Sequence, residues 1–83
     1  MDVFVLAYVG LSTDPDGNGY CEIDVFDEHD KAVAKMEQCL ANELEEQKDY
    51  EPRVERDGED EVSIWWCGDN EGVKMKIFRK HIN

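Results

Sequence analysis

Apolar residues recur every three or four positions in only one stretch of this 83-residue chain, between Asp27 and Glu46; elsewhere they alternate or run continuously. That single change of period allows one helix and assigns the rest to strands and turns. Ala32, Val33, Met36, Leu40 and Leu44 form the helix's inner stripe. Asp27 offers a capping carboxylate, and Glu28 and Asp30 sit in the first turn, where the helix dipole favours anions. Upstream, Val3 to Val9 is apolar on both faces, as a central strand would be, and Tyr20 to Phe26 sets Cys21, Ile23 and Val25 against Glu22 and Asp24. With the turn-rich Gly10 to Gly19 segment between them, the two read as a hairpin. Downstream, Tyr50 to Arg56, Val62 to Cys67 and Val73 to Lys80 are strands, separated by Asp57-Gly58 and by Gly68 to Gly72.

The expected architecture is α+β: an antiparallel sheet of about five strands in the order β-β-α-β-β-β with one helix packed on one face. Residues 1–83 form a single domain, since this length supplies one core and no more. The pattern is expected to place Val3, Val5, Ala7, Ile23, Val25, Val62, Ile64, Val73, Met75 and Ile77 beneath the helix. Phe4, Leu6, Tyr8, Trp65 and Phe78 then fall on the opposite face, where one helix cannot cover them. Such a face suits a homodimer, a structural or assembly partner, or a sheet that coils on its own rings.

Charge narrows the function. Twenty-one acids against nine bases give a net −12, a field that repels phosphate and anionic lipid and attracts basic proteins. Direct nucleic-acid or membrane binding is therefore not expected, and no apolar run approaches the roughly 20 residues of a membrane helix. Three widely spaced cysteines, Cys21, Cys39 and Cys67, suit a reducing compartment and a cytoplasmic location. The acids are also oddly placed. Glu43, Glu45 and Glu46 crowd the last helical turn, where the dipole prefers cations, and Asp57, Glu59, Asp60 and Glu61 crowd one turn, where they repel each other. Neither placement helps the fold locally. Solubility is one explanation, and recognition by a cationic partner is the other.

Catalytic and metal chemistry find little support. His29 and His81 have no neighbouring nucleophile, no glycine loop cradles phosphate, and the cysteines and histidines lack zinc-ligand spacing, so neither an enzyme nor a cofactor is expected. Asp14, Asp16, Asn18, Tyr20 and Glu22 match positions one, three, five, seven and nine of a calcium loop, with Gly17 at six. Position twelve is Val25 rather than a bidentate glutamate, and the flanks are strands, which leaves a hairpin turn as the simpler reading.

In size, charge and its mix of one helix with a small sheet, the chain resembles the small acidic inhibitors of bacteriophages and mobile elements, including anti-CRISPR proteins and other DNA mimics. The likeness is compositional and rests on no motif. It implies a stoichiometric blocker in the host cytoplasm, in which Glu43, Glu45, Glu46, Asp57, Glu59, Asp60 and Glu61 occupy the groove of a basic, nucleic-acid-binding protein and Trp65 anchors the contact. The segment from Val73 onward, with Lys74, Lys76, Arg79 and Lys80 and no acid, departs from a uniform mimic. It suits a dimer interface or an acidic part of the target.

Overall fold

The computed structural model describes residues 1–12, 21–66, 68 and 71–82. Five strands, β1 (Asp2–Ser12), β2 (Cys21–Phe26), β3 (Arg53–Arg56), β4 (Glu61–Trp66) and β5 (Glu71–His81), form one antiparallel sheet in the order β2-β1-β5-β4-β3. A single helix, α1 (His29–Glu46), lies across one face, and a 3-10 turn at Lys48–Tyr50 leads towards β3. The expected α+β class and element order are both present. The long β1–β5 pair runs from Asp2 opposite His81 to Ser12 opposite Glu71, placing the first and last strands side by side at the centre.

The helix begins one residue later than Asp27 would set it. Glu28 is the extended capping residue but makes no side-chain cap, while Asp27 takes an ion pair with Lys31 at 2.9 Å. The strand expected over Tyr50 to Arg56 is shorter. Lys48–Tyr50 closes a 3-10 turn, Glu51 takes a left-handed conformation at φ 51°, and only Arg53–Arg56 is extended. Pro52 accounts for that late start, because its ring fixes φ and removes a ladder donor.

The core consists of Leu6, Ala32, Met36, Leu40, Val62, Ile64, Val73, Met75 and Ile77, all buried between helix and sheet. Phe4, Tyr8, Phe26, Val33, Leu44 and Trp66 pack around it. The helical stripe read from the sequence is the buried one, and β4 and β5 also face as expected. The phase of β1 and β2 is reversed. Leu6 is buried and Phe4 and Tyr8 turn to the helix, so pleating sends Val3, Val5, Ala7 and Val9 to the opposite face.

Register carries the reversal into β2. Val5 pairs with Val25 and Ala7 with Ile23, which puts Ile23 and Val25 on the open face, each 62% exposed. The physical reason is volume. The space under α1 is filled by the larger Phe4, Leu6 and Tyr8 rather than by valines and an alanine, and because β1 is apolar on both sides its alternation could not set the phase. At the sheet margin, Glu22 and Asp24 on the helix side reach water beside α1 and need no burial.

One glycine is fixed by packing. Gly72 lies opposite Trp65, and a Cβ there would stand 2.5 Å from the Ile64 carbonyl oxygen and 2.8 Å from the Trp65 ring. We expect Gly72→Ala to cost about 1–3 kcal/mol, as overpacking does, read as a lower urea midpoint at unchanged slope.

Candidate partner-binding surface

The helix and the strand edges beside it distribute the acids in two groups. At the C-terminal half of α1, Glu43 and Glu46 face Glu22 and Asp24 of β2 across a groove of about 410 Å³, with Leu6 and Tyr8 on its walls and Lys35, Cys39 and Asn42 along the helix. The Tyr8 hydroxyl donates to the Glu43 carboxylate and tethers it to β1. Burial raises the Cys39 thiol, and the surrounding Asp24, Glu22 and Glu43 carboxylates push it further, while Lys35 opposes them. That environment keeps Cys39 protonated and unreactive.

The second group is the β3–β4 hairpin tip at Asp57, Glu59 and Asp60. Gly58 sits there at φ 73°, in the left-handed region that glycine adopts without strain. The tip lies against the start of the helix. His29 Nε2 is 2.6 Å from an Asp60 carboxylate oxygen, and the same imidazole meets the Phe4 ring edge-on at a centroid distance of 5.4 Å. The hydrogen bond to Asp60 raises the His29 pKa, and the charges of Asp60, Asp30 and Glu59 act in the same direction.

A group with a raised folded-state pKa contributes stability that is fully present below its unfolded value and is lost as pH rises through the folded value. His29 therefore ties helix to hairpin more firmly in mild acid than above neutrality. We expect NMR titration to place His29 above the ordinary imidazole value of about 6.5, and Asp60→Asn to return it towards that value.

Fourteen residues separate His29 from Glu43, so the two acid groups stand about 21 Å apart along the helix axis. The structure thus divides the seven acids singled out in the sequence. Glu43, Glu45 and Glu46 belong to the groove end, and Asp57, Glu59 and Asp60 to the hairpin end. Glu61 is set apart from Glu59 and Asp60: it lies on the open face of the sheet, where Lys74, at 2.9 Å, holds its carboxyl below the usual range and the Asp57 side chain hydrogen-bonds with it. Trp65 is also on the open face, half-buried over Gly72, away from both acid groups. Nothing in the sequence marks Glu22 and Asp24 as part of an acidic surface, because only the β1–β2 register turns them towards α1.

Not every acid is available to a partner. Glu37 holds Arg56 through two hydrogen bonds of 2.8 and 3.1 Å, and Asp2 gathers Arg79 and His81 at the sheet's lower end. Charge is also sorted by face. Residues 27–51 carry nine acids against three bases, whereas Lys74, Lys76 and Lys80 line the open face of β5. Among the described residues, the helix side is acidic and the other face partly cationic.

Of the half calcium loop, Asp14, Asp16, Asn18 and Tyr20 lie outside the described residues, as does Cys67; Glu22 lines the groove. No three His, Cys, Asp or Glu side chains among the described residues are arranged to hold a metal ion. Within those residues, no helix is long and apolar enough to cross a membrane.

Sheet and helix together place the chain in the α+β class, with a divided acidic face as its most distinctive surface. Comparison with protein-family models, curated proteins and solved structures finds no match to it.

Proposed function

We propose that the protein is a non-enzymatic acidic binding protein that occupies the nucleic-acid groove of a basic partner and blocks it stoichiometrically, in the manner of inhibitors that phages and mobile elements direct against host defence. The observation that carries this reading is the pair of acid groups standing about 21 Å apart at the two ends of one rigid helix. That span is about six base-pair steps of duplex, given a phosphate every 3.4 Å along each strand. Between the groups, α1 is anchored on the sheet by Ala32, Met36 and Leu40, so the spacing is held without a partner. Preorganised charge lowers the cost of binding and speeds encounter with a cationic surface.

The test is capture from nuclease-treated host lysate with the tagged protein, repeated with excess duplex DNA. Recovery of a basic nucleic-acid-binding protein that DNA displaces supports the reading; captured proteins indifferent to DNA argue against it.

A second reading, an assembly subunit or homodimer, draws on the open face, where Ile23, Val25 and Phe78 are 62%, 62% and 43% exposed. It predicts concentration-dependent association in sedimentation velocity that Val25→Lys abolishes. A strict monomer at millimolar concentration would leave the homodimer form without support.

A further inference from the structure

We infer that the outer edge of β2 is a docking site for an extended segment of a partner in which lysine or arginine alternates with β-branched residues, added to the sheet as a sixth strand. The edge adjoins the groove-end acid group, sharing Glu22 and Asp24 with it, but the inference does not rest on competition with nucleic acid.

Among the described residues, the edge is open in its backbone. At the N-terminus of the chain, Met1 and Ile82 exchange both hydrogen bonds, the Ile82 amide donating to the Met1 carbonyl at 2.7 Å and the Met1 amine to the Ile82 carbonyl at 3.2 Å. In an antiparallel ladder, hydrogen-bonded and non-hydrogen-bonded pairs alternate, so Val3, Val5 and Ala7 turn their backbone groups to β5, and Phe4, Leu6 and Tyr8 turn theirs to β2. Their partners Phe26, Asp24 and Glu22 are thereby satisfied. Ile23 and Val25 point their N–H and C=O groups away from β1, and no described strand lies on that side of β2 to bond them.

The two edges of the sheet differ. The β3 edge is four residues long, preceded by Pro52, and every residue of it is exposed and mostly charged, the features with which proteins blunt an edge. The six-residue β2 edge carries no proline, no lysine and no arginine. Its open face presents Ile23 and Val25, and its helix face presents Glu22 and Asp24, which continue into the groove walled by Glu43 and Glu46.

That two-sided pattern selects the occupant by charge. A second copy of β2 in antiparallel pairing sets Glu22 against Asp24 when Ile23 meets Ile23, and Asp24 against Asp24 when Ile23 meets Val25. Both registers oppose like charges next to the Glu43 and Glu46 carboxylates. A strand with cations at alternate positions meets Glu22 and Asp24 with opposite charge on one face and covers Ile23 and Val25 with apolar side chains on the other. Strand addition of this kind takes affinity from main-chain hydrogen bonds and specificity from alternate side chains.

The test uses the full chain, isotope-labelled, with three synthetic peptides: Lys-Thr-Lys-Val-Lys-Thr-Lys, the same pattern with glutamate for lysine, and a block sequence of the first peptide's composition. We expect only the alternating basic peptide to bind, slowing amide exchange at Ile23 and Val25 at least tenfold with little change at Glu22 and Asp24. Ile23→Pro removes an outward donor that no described strand uses, and should weaken binding at least tenfold while the circular dichroism spectrum is retained. Val25→Lys, which keeps the backbone donor but sets a cation on the face that the peptide's apolar side chains cover, should also weaken binding at least tenfold, and unchanged binding to it would overturn the inference. Equal binding of the block or acidic peptide, or basic-peptide binding without protection at Ile23 and Val25, would overturn the inference. Protection of those amides by self-association alone, in the absence of peptide, would overturn it as well.

Discussion

Replacing Glu45, Glu46, Asp57 and Glu59 with lysine should lower affinity for a basic partner about a hundredfold or more, with the fold intact. Each substitution adds two units of charge, moving the net charge from −12 to −4, and all four positions are exposed. Single exposed ion pairs contribute little, which is why the effect requires both ends of the helix at once. The two halves of this variant are informative separately. Reversal of Glu45 and Glu46 alone, or of Asp57 and Glu59 alone, should each weaken binding about tenfold if a single partner spans the helix. Loss at one end only would place the partner there. Glu61 and Asp60 are left unchanged because the first neutralises Lys74 and the second holds His29, so their loss would mix stability with recognition; the Glu45 pair with Lys48 is exposed on both sides and contributes little. Circular dichroism and urea midpoints close to wild type should accompany the loss, and affinity should fall steeply with added salt.

The largest effect on stability should come from Met36→Ala. Met36 is fully buried at the middle of α1, among residues drawn from the helix and from β1, β4 and β5. Truncating a buried methionine costs about 2–5 kcal/mol, depending on how far the site collapses. A domain of this size has about 4–12 kcal/mol in all, so one substitution removes a large part of it. The expected result is a urea midpoint reduced by a third or more, with an unchanged slope, and a melting temperature lower by about 10–25 °C. Ala34→Ser, on the exposed side of the same helix, should shift the midpoint little. A Met36→Ala protein as stable as wild type would mean that α1 is not held to the sheet in this way.

How much of this was legible in the sequence depends on where a pattern has a phase. The helix did, because Ala32, Met36 and Leu40 stand four residues apart, and those three are buried. The strands β4 and β5 did as well, with Val62, Ile64, Val73, Met75 and Ile77 inside. Strand β1 did not, since Val3 to Val9 is apolar on either side and its parity is decided by which side chains fill the volume under the helix. Once Leu6 faces inward, the pairing of Leu6 with Asp24 turns the acids of β2 towards α1 and its apolar residues to the open face. An amphipathic strand invites the assumption that its apolar side is the core side. At a sheet margin that assumption fails, because the helix does not reach far enough to cover it.

The acidic surface was legible as composition but not as geometry. Spacing alone groups Asp57, Glu59, Asp60 and Glu61, yet strand pleating places Glu61 on the other face beside Lys74, where the Asp57 side chain reaches it. The groove acids Glu22 and Asp24 are some twenty residues from Glu43 and Glu46 in the chain, and only the hairpin register brings them together. The ion pair between His29 and Asp60 is likewise a product of the fold rather than of local sequence.

On the function proposed above, the divided acidic face competes with nucleic acid for a basic groove. The most direct measurement is the apparent affinity of the captured partner for duplex DNA as the concentration of this protein is raised. The account predicts an apparent Kd for DNA that rises in proportion to the added protein, and that stops rising when the four lysine substitutions are present. An apparent Kd that stays constant, with partner, DNA and this protein together in one complex, would contradict it.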